Sequence, residues 1–413
     1  MNIHSLVTLA KQLGIQAEVF YIKVKSTELS KEKQYYGMFN YEEGLGVRVI
    51  KDKRMGFSYG NKLDYRLLDM AIEASKVVEA DEANQLPSPE PIQSDTQYYY
   101  SELEEPTEIL KEHMNHVLSY SDQVNLTSVK VGGGIVEVSI VNTEGIDVSQ
   151  KFSYVYVGIE ANYIKDVVTP EVYEYIESRR PVNKEIKKIM EKIINKIEMI
   201  KKRRRLERKV DLVVLTPKAV NELFSPLFSH AISLENLYRG KTPLRENEDL
   251  GKKITIYDDP KYPDSTYSRP FDGEGLPTNK IELIRNGIVK NFLSNTYWSI
   301  RANKPNTHSS NRTYMSIPTI STSNIIIELD KISDLGDAIY IDQLQGVHTS
   351  DYDSGYFSVT ASVAWDKEGG LRELVVTGDL KTLIRNILGG YGDIERYGKC
   401  VVPNIVVSNL NVI

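Results

Sequence analysis

A chain of 413 residues with 41% apolar and 26% charged residues is long enough for two or three domains with substantial cores. Its net charge of -6 leaves no basic footprint for nucleic acid, and its one cysteine, Cys400, excludes a disulfide framework and suits a reducing cytosol. No apolar run reaches the roughly 20 residues that span a bilayer, and the opening MNIHSLVTLAKQLGIQ lacks a signal-peptide pattern, so a soluble, cytoplasmic protein without a membrane partner is expected.

Taken in order, residues 3–14 have helical apolar spacing and stop at Gly14. Strands are predicted at 17–25, 34–40 and 47–53, with Glu43-Gly44-Leu45-Gly46 as a turn. Gly44-x-Gly46 is not a phosphate loop, because a strand follows it rather than a helix. A short strand at 56–60 and a helix at 62–79, with Leu67, Leu68, Ala71 and Ala74 inward, complete an α+β unit over 1–80. Residues 81–105 hold several prolines and few aliphatics, and read as an exposed linker.

Pro106 opens a helix to about Tyr120, and strands at 124–131, 135–141 and between 148 and 163 make 106–209 a helix-and-sheet segment. His113 and His116 stand one turn apart, a spacing that can hold a metal; with no third ligand nearby they read as solvated or capping. Residues 171–209 predict a long helix interrupted near Pro181, with Ile186, Met190, Ile193, Ile194 and Ile197 as its apolar stripe. The basic run Lys201-Lys202-Arg203-Arg204-Arg205 then complements the helix dipole rather than marking a nucleic-acid patch.

A second domain, 210–413, starts with a strand and a helix opened by Thr216-Pro217. Val220, Leu223, Phe224, Leu227 and Phe228 give that helix one buried face, and His230 lies near its end. A strand at 254–257 leads to two acidic, turn-rich clusters, Asp258-Asp259-Pro260 and Phe271-Asp272-Gly273-Glu274-Gly275. Asn286-Gly287 between apolar runs signals a hairpin. The polar stretch 301–322 reads as a loop bordering a groove, with a solvated His308 and with Asn311 and Arg312 projecting donors. Strands at 325–329, 338–341, 356–365 and 404–412, a loop at 348–354 and a helix at 380–388 complete the domain.

The order helix, Gly240-Lys241-Thr242, Leu250-Gly251-Lys252, Asp258-Asp259-Pro260, Phe271-Asp272-Gly273-Glu274-Gly275 resembles the C-terminal domain of the TldD/PmbA family, the two subunits of a zinc-dependent protease also known as modulators of DNA gyrase. In the catalytic TldD branch this helix carries His-Glu-x-x-x-His; the resemblance puts Ser225, Pro226 and His230 at those three positions. It also puts the branch's cysteine near Gly389, leaving Cys400 as a buried structural thiol. The family loop Thr-Gly-Asp-Phe-Ser has its counterpart in Asp353-Ser354-Gly355-Tyr356-Phe357-Ser358. Catalytic zinc needs about three protein ligands and a carboxylate to activate water, which a lone His230 does not supply.

The resemblance therefore implies the metal-free TldE/PmbA branch: an α+β fold with an N-terminal antiparallel sheet and helices and a sheet-rich C-terminal domain with a peptide groove. It implies no catalytic residue beyond the remnant His230, no metal in this chain, and zinc in a TldD-type partner subunit, with a homodimer as the other assembly. Asp272, Glu274, Asn311, Arg312, Asp353 and Ser354 are the candidates for contact with an extended peptide. Two further readings stand beside it. In one, Asp258, Asp259, Asp272 and Glu274 form a hydrolase's own cation or acid–base site, although such residues are also turn formers. In the other, the chain is a peptide-binding regulatory module.

Overall fold

A computed structural model describes residues 3–251 and 254–413 of the chain; Lys252 of the Leu250-Gly251-Lys252 motif lies outside them. The fold is α+β, as the order of elements predicts. The first sheet is antiparallel, in the order β3-β2-β1-β4-β5-β6, from β1 (Gln16–Lys31), β2 (Tyr35–Lys51), β3 (Arg54–Gly60), β4 (Asn125–Asn142), β5 (Asp147–Asn162) and β6 (Val172–Ser178). Strand β1 pairs with both β2 and β4, so residues on either side of 81–105 share one sheet.

Side chains alternate across a strand, and here the two faces have separate tasks. Ala17 and Val19 of β1, with Val47 and Val49 of β2, pack under helices α1 (Ile3–Gln12) and α2 (Arg66–Ser75). Val129, Val131, Val155 and Val157 lie under α3 (Thr107–Leu118) and α4 (Asn183–Ile200). The alternate positions Phe20, Ile22, Val138 and Ile140 face the other way, against Phe271 and Leu276 of the C-terminal region. Glu18 shares the parity of Phe20, which directs a carboxylate into that junction. Gly275 allows the close approach: its φ is +83°, and a Cβ there would come within 2.6 Å of Ile146.

The second sheet has twelve strands and is mixed. Its centre is Cys400–Ser408, which runs parallel to Ile325–Leu329 and antiparallel to Leu212–Leu215; Leu212–Leu215 in turn runs parallel to Ile339–Gln345. On it lies α5 (Pro217–Ala219), a π turn (Val220–Phe224) and α6 (Ser225–Ala231), one after another. Thr216 caps this helix by accepting a hydrogen bond from Ala219 N, with Pro217 at the first position. Leu223, Phe224, Leu227 and Phe228 are buried, and the rings of Phe224 and Phe228 stack 4.9 Å apart.

Several elements differ from the sequence reading. Residues 172–178 form a strand, not the start of a helix; Val-Tyr-Glu-Tyr-Ile alternates β-prone residues, and α4 begins only beyond Pro181. Residues 81–100 are irregular but packed, with Ala83, Leu86 and Tyr98 buried, a backbone hydrogen bond from Ser153 N to Tyr98 O, and the Asn142 side-chain amide donating to Pro87 O. The stretch is therefore a strap on the first sheet rather than an exposed linker. His113 is buried in α3, where burial lowers its pKa, and His308 is mostly buried with Nδ1 2.9 Å from Pro277 O; neither is solvated. The last helix is shorter, Leu380–Arg385, and a strand at Ile387–Tyr397 follows it. No helix among the described residues is long and apolar enough to cross a membrane.

Candidate functional site

Helix α6 carries the three motif positions, and they do not converge. In an α-helix, residues five apart are about 140° apart around the axis; a π turn brings such a spacing back to one face. Here the π turn ends at Phe224, before Ser225. Ser225 is buried, and its hydroxyl lies near the buried Cys400 thiol and acts on it electrostatically. Burial pushes that thiol up to about 12, so it stays protonated and serves neither as nucleophile nor as thiolate ligand. Pro226 offers no donor atom. His230 points elsewhere, with Nε2 3.0 Å from both the Lys241 carbonyl and Asp353 Oδ1, and its ring edge on Tyr352.

Gly389 pairs with Val406 and Tyr397 with Cys400, so Gly389 sits at the opposite end of the hairpin, against Asp330 and Ile332. The side chain beside the first motif position is Cys400. Its thiol was legible, but which thread brought it to α6 was not.

The six groove candidates fall in different places. Asp353 and Ser354 belong to an exposed turn next to His230, where Lys241 Nζ is 3.4 Å from Asp353 and Ser354 Oγ donates to Asp351. Asp272, Glu274 and Arg312 are buried at the junction of the two sheets, while Asn311 lies on its exposed margin. Asp272 accepts hydrogen bonds from the backbone N–H groups of Glu274, Leu276 and Ser310 and from Ser310 Oγ. Glu274 accepts from Thr296 N and faces Arg48 at 3.3 Å; burial raises its pKa and Arg48 opposes that rise. Arg48 also pairs with Glu18 at 2.9 Å, directly across the β1–β2 ladder, and Arg312 donates to the other Glu18 oxygen. Four charged side chains thus join the first sheet to the C-terminal region.

Of the remaining acids, Asp258 accepts from Ser323 N, and burial pushes it up to about 6. Asp259 accepts from Lys261 N. All four carboxylates of the two acidic clusters are committed to backbone N–H groups, as turn formers are. Among the described residues no three His, Cys, Asp or Glu side chains are grouped as a metal site.

A second buried network escaped the sequence reading. Lys196 of α4 pairs with Glu174 of β6 and, at 2.7 Å, with Asp342; Lys218 of α5 donates to Gln343 Oε1 at 2.9 Å and sits 3.7 Å over the Tyr173 ring. Burial lowers the Lys218 pKa and pushes Glu222 up to about 7, and Glu222 accepts from Leu344 N. One signal was available: Lys196 stands three residues after Ile193 and Glu18 two before Phe20, charges on faces that are otherwise buried.

Comparison with known proteins decides the family. The sequence model of the PmbA/TldA metallopeptidase C-terminal domain matches residues 208–413, and that of metallopeptidase domain 1 matches 17–80. The chain belongs to the PmbA/TldD metallopeptidase family. An uncharacterized protein of Methanocaldococcus jannaschii is 26% identical over 424 residues, 98% of each chain. Metalloprotease PmbA of Escherichia coli O157:H7 is 26% identical over 226 residues, covering 51% of this chain and 49% of that one. The crystal structure of TldE from Thermococcus kodakarensis superposes with a TM-score of 0.91 at 24% identity, covering 99% of both chains, which shows a shared fold. The zinc of the family's catalytic branch does not fit the residues of α6 here: a buried serine hydroxyl, a proline, and an imidazole held by Lys241 and Asp353 do not make a ligand set.

Proposed function

We propose that this chain is the metal-free, TldE/PmbA-type subunit of a peptidase complex whose TldD-type partner holds the zinc and the activated water. The observation that carries the proposal is the state of the three motif positions: Ser225 is buried, Pro226 has no ligand atom in its side chain, and His230 is held by the Lys241 carbonyl and Asp353. The region 210–413 supplies a wall for an extended peptide, bound through main-chain hydrogen bonds that read little side-chain sequence. Closing that wall over the partner's metal orders the peptide and excludes water, which accelerates the partner's reaction without a catalytic group from this chain.

A partner is also supported by the tip of the β1–β2 hairpin, where Tyr35, Tyr36, Met38, Phe39 and Tyr41 are all exposed. Apolar surface of this kind is commonly covered by another chain. The reading with a self-contained carboxylate site gains no support, because those acids are occupied locally.

The test measures peptide cleavage by this chain alone, by a metal-bearing homologue from the same cell, and by the mixture, each with and without a chelator. The expected result is no cleavage by this chain, a stable complex, and faster, chelator-sensitive cleavage by the mixture. Chelator-insensitive cleavage by this chain alone would overturn the proposal.

A further inference from the structure

Between the two sheets lies a cavity of about 290 Å³, room for roughly ten water-sized groups. One wall is apolar, from Phe20, Ile22, Val138, Phe152 and Phe271. The other wall carries four cations, Arg179, Arg269, Arg312 and Lys399, and a single lining carboxylate, Asp272. Asp272 has its oxygens filled by the three N–H groups and the Ser310 hydroxyl described above.

The four cations are unequally satisfied. Arg179 donates to the carbonyls of Ser153, Ser265, Thr266 and Ser268 and holds that loop in shape. Lys399 Nζ donates to Thr322 O. Arg312, 8% exposed, spends Nη1 on Glu18 but leaves Nε and Nη2 buried without a partner. Arg269 is half-buried: its Nε is buried without a partner, and its side chain makes no hydrogen bond among the described residues. Thr266 Oγ1, also lining the cavity, is likewise buried and unpartnered. Among the described residues Arg179, Arg269 and Lys399 form no ion pair. Two other acids lie near: Asp258 acts on Arg269 and Lys399 through space but turns its carboxylate onto Ser323 N, and Glu177 acts on Arg179 and Lys399.

Buried donors without acceptors are costly, and buried guanidinium groups without carboxylates more so. A planar oxyanion answers both deficits, since guanidinium groups bind carboxylate and phosphate through paired N–H donors. We infer that this cavity is a binding site for a small organic acid, its carboxylate or phosphate head on Arg269 and Arg312 and its apolar body against Phe20 and Phe271. Burial lowers the pKa of Arg269, Arg312 and Lys399, the direction an incoming anion would reverse. The cavity is on this chain and needs no partner subunit, so the inference stands or falls apart from the proposed peptidase complex.

Isothermal titration calorimetry on the full chain tests it, with 3-phenylpropionate, phenyl phosphate and the neutral 3-phenylpropionamide as probes. The acids are expected to bind with a dissociation constant of about 1 mM or below, the range that a ligand of this size reaches, and the amide at least about tenfold more weakly. Arg269→Gln and, independently, Thr266→Val should weaken the acids while leaving binding of the amide unchanged. Thermal melts of both variants check folding, and Arg269 makes no side-chain hydrogen bond whose loss would unfold the chain. The source of the head group is read from the peptide Ala-Ala-Phe: tighter binding of the free acid form than of 3-phenylpropionate assigns the site to peptide C-termini, and the reverse assigns it to free acids, both in support of an oxyanion site. Absence of binding by both acids, or equal binding of acid and amide, would overturn the inference, as would unchanged acid affinity in Arg269→Gln.

Discussion

Helix α6 and the junction between the sheets are both buried, yet they treat charge in opposite ways. At α6 the position where the family's catalytic branch has a histidine holds the buried Ser225, and burial keeps the nearby Cys400 thiol neutral. At the junction Glu18, Arg48, Glu274 and Arg312 are all buried and ionic, and a second network, Glu174, Lys196, Asp342 and Lys218, bridges β6 and α4 to the second sheet. The contrast shows where buried charge is concentrated: at the contacts that fix the two halves of the chain against each other. Buried pairs of this kind stabilise little as such, but they penalise any arrangement in which one partner is lost.

The largest expected effect follows from that asymmetry. Glu18→Ala leaves two arginines buried without their shared carboxylate, and should cost about 3–5 kcal/mol in urea denaturation. A cost below about 1 kcal/mol would mean that water already serves these arginines and the junction is not held by charge.

A middle-sized effect concerns pH. Asp258 has its carboxyl raised by burial to about 6, so the folded chain binds a proton there that the unfolded chain has already released. The stability from this group is complete below about pH 4 and is lost as pH rises through 6. Asp258→Asn abolishes the titration. The native chain should therefore lose about 2 kcal/mol relative to the variant between pH 4 and 7, measured as the difference of two urea titrations. A difference that does not change with pH would contradict the assigned burial.

At α6 the effects should be small. Ser225→Ala removes one buried hydroxyl beside the Cys400 thiol, and should change stability by about 1 kcal/mol or less. His230→Ala breaks a half-exposed link to Lys241 and Asp353, again worth about 1 kcal/mol or less, and should leave the activity of a complex with a metal-bearing partner intact. Loss of that activity on His230→Ala, with the fold preserved, would show that the remnant histidine still takes part.

Much of this was legible in the sequence. The capped helix from Thr216 with its apolar face and the α+β order follow from residue types at fixed spacing. What was not legible is what long-range pairing creates. Nothing local reveals that Glu18 meets Arg312 across 294 positions, or that the acids around Asp272 fold inward onto backbone N–H groups instead of lining an open groove. The strand 172–178 was missed because tyrosine, glutamate and isoleucine suit a helix nearly as well, and tertiary pairing with β5 decided the outcome.

The central claim, that α6 carries no metal chemistry of its own, is tested most directly by zinc content. The purified chain, equilibrated with buffered zinc and then gel-filtered, should retain no stoichiometric zinc by elemental analysis, and His230→Ala should behave identically. One tightly held zinc per chain, lost on His230→Ala, would contradict the account.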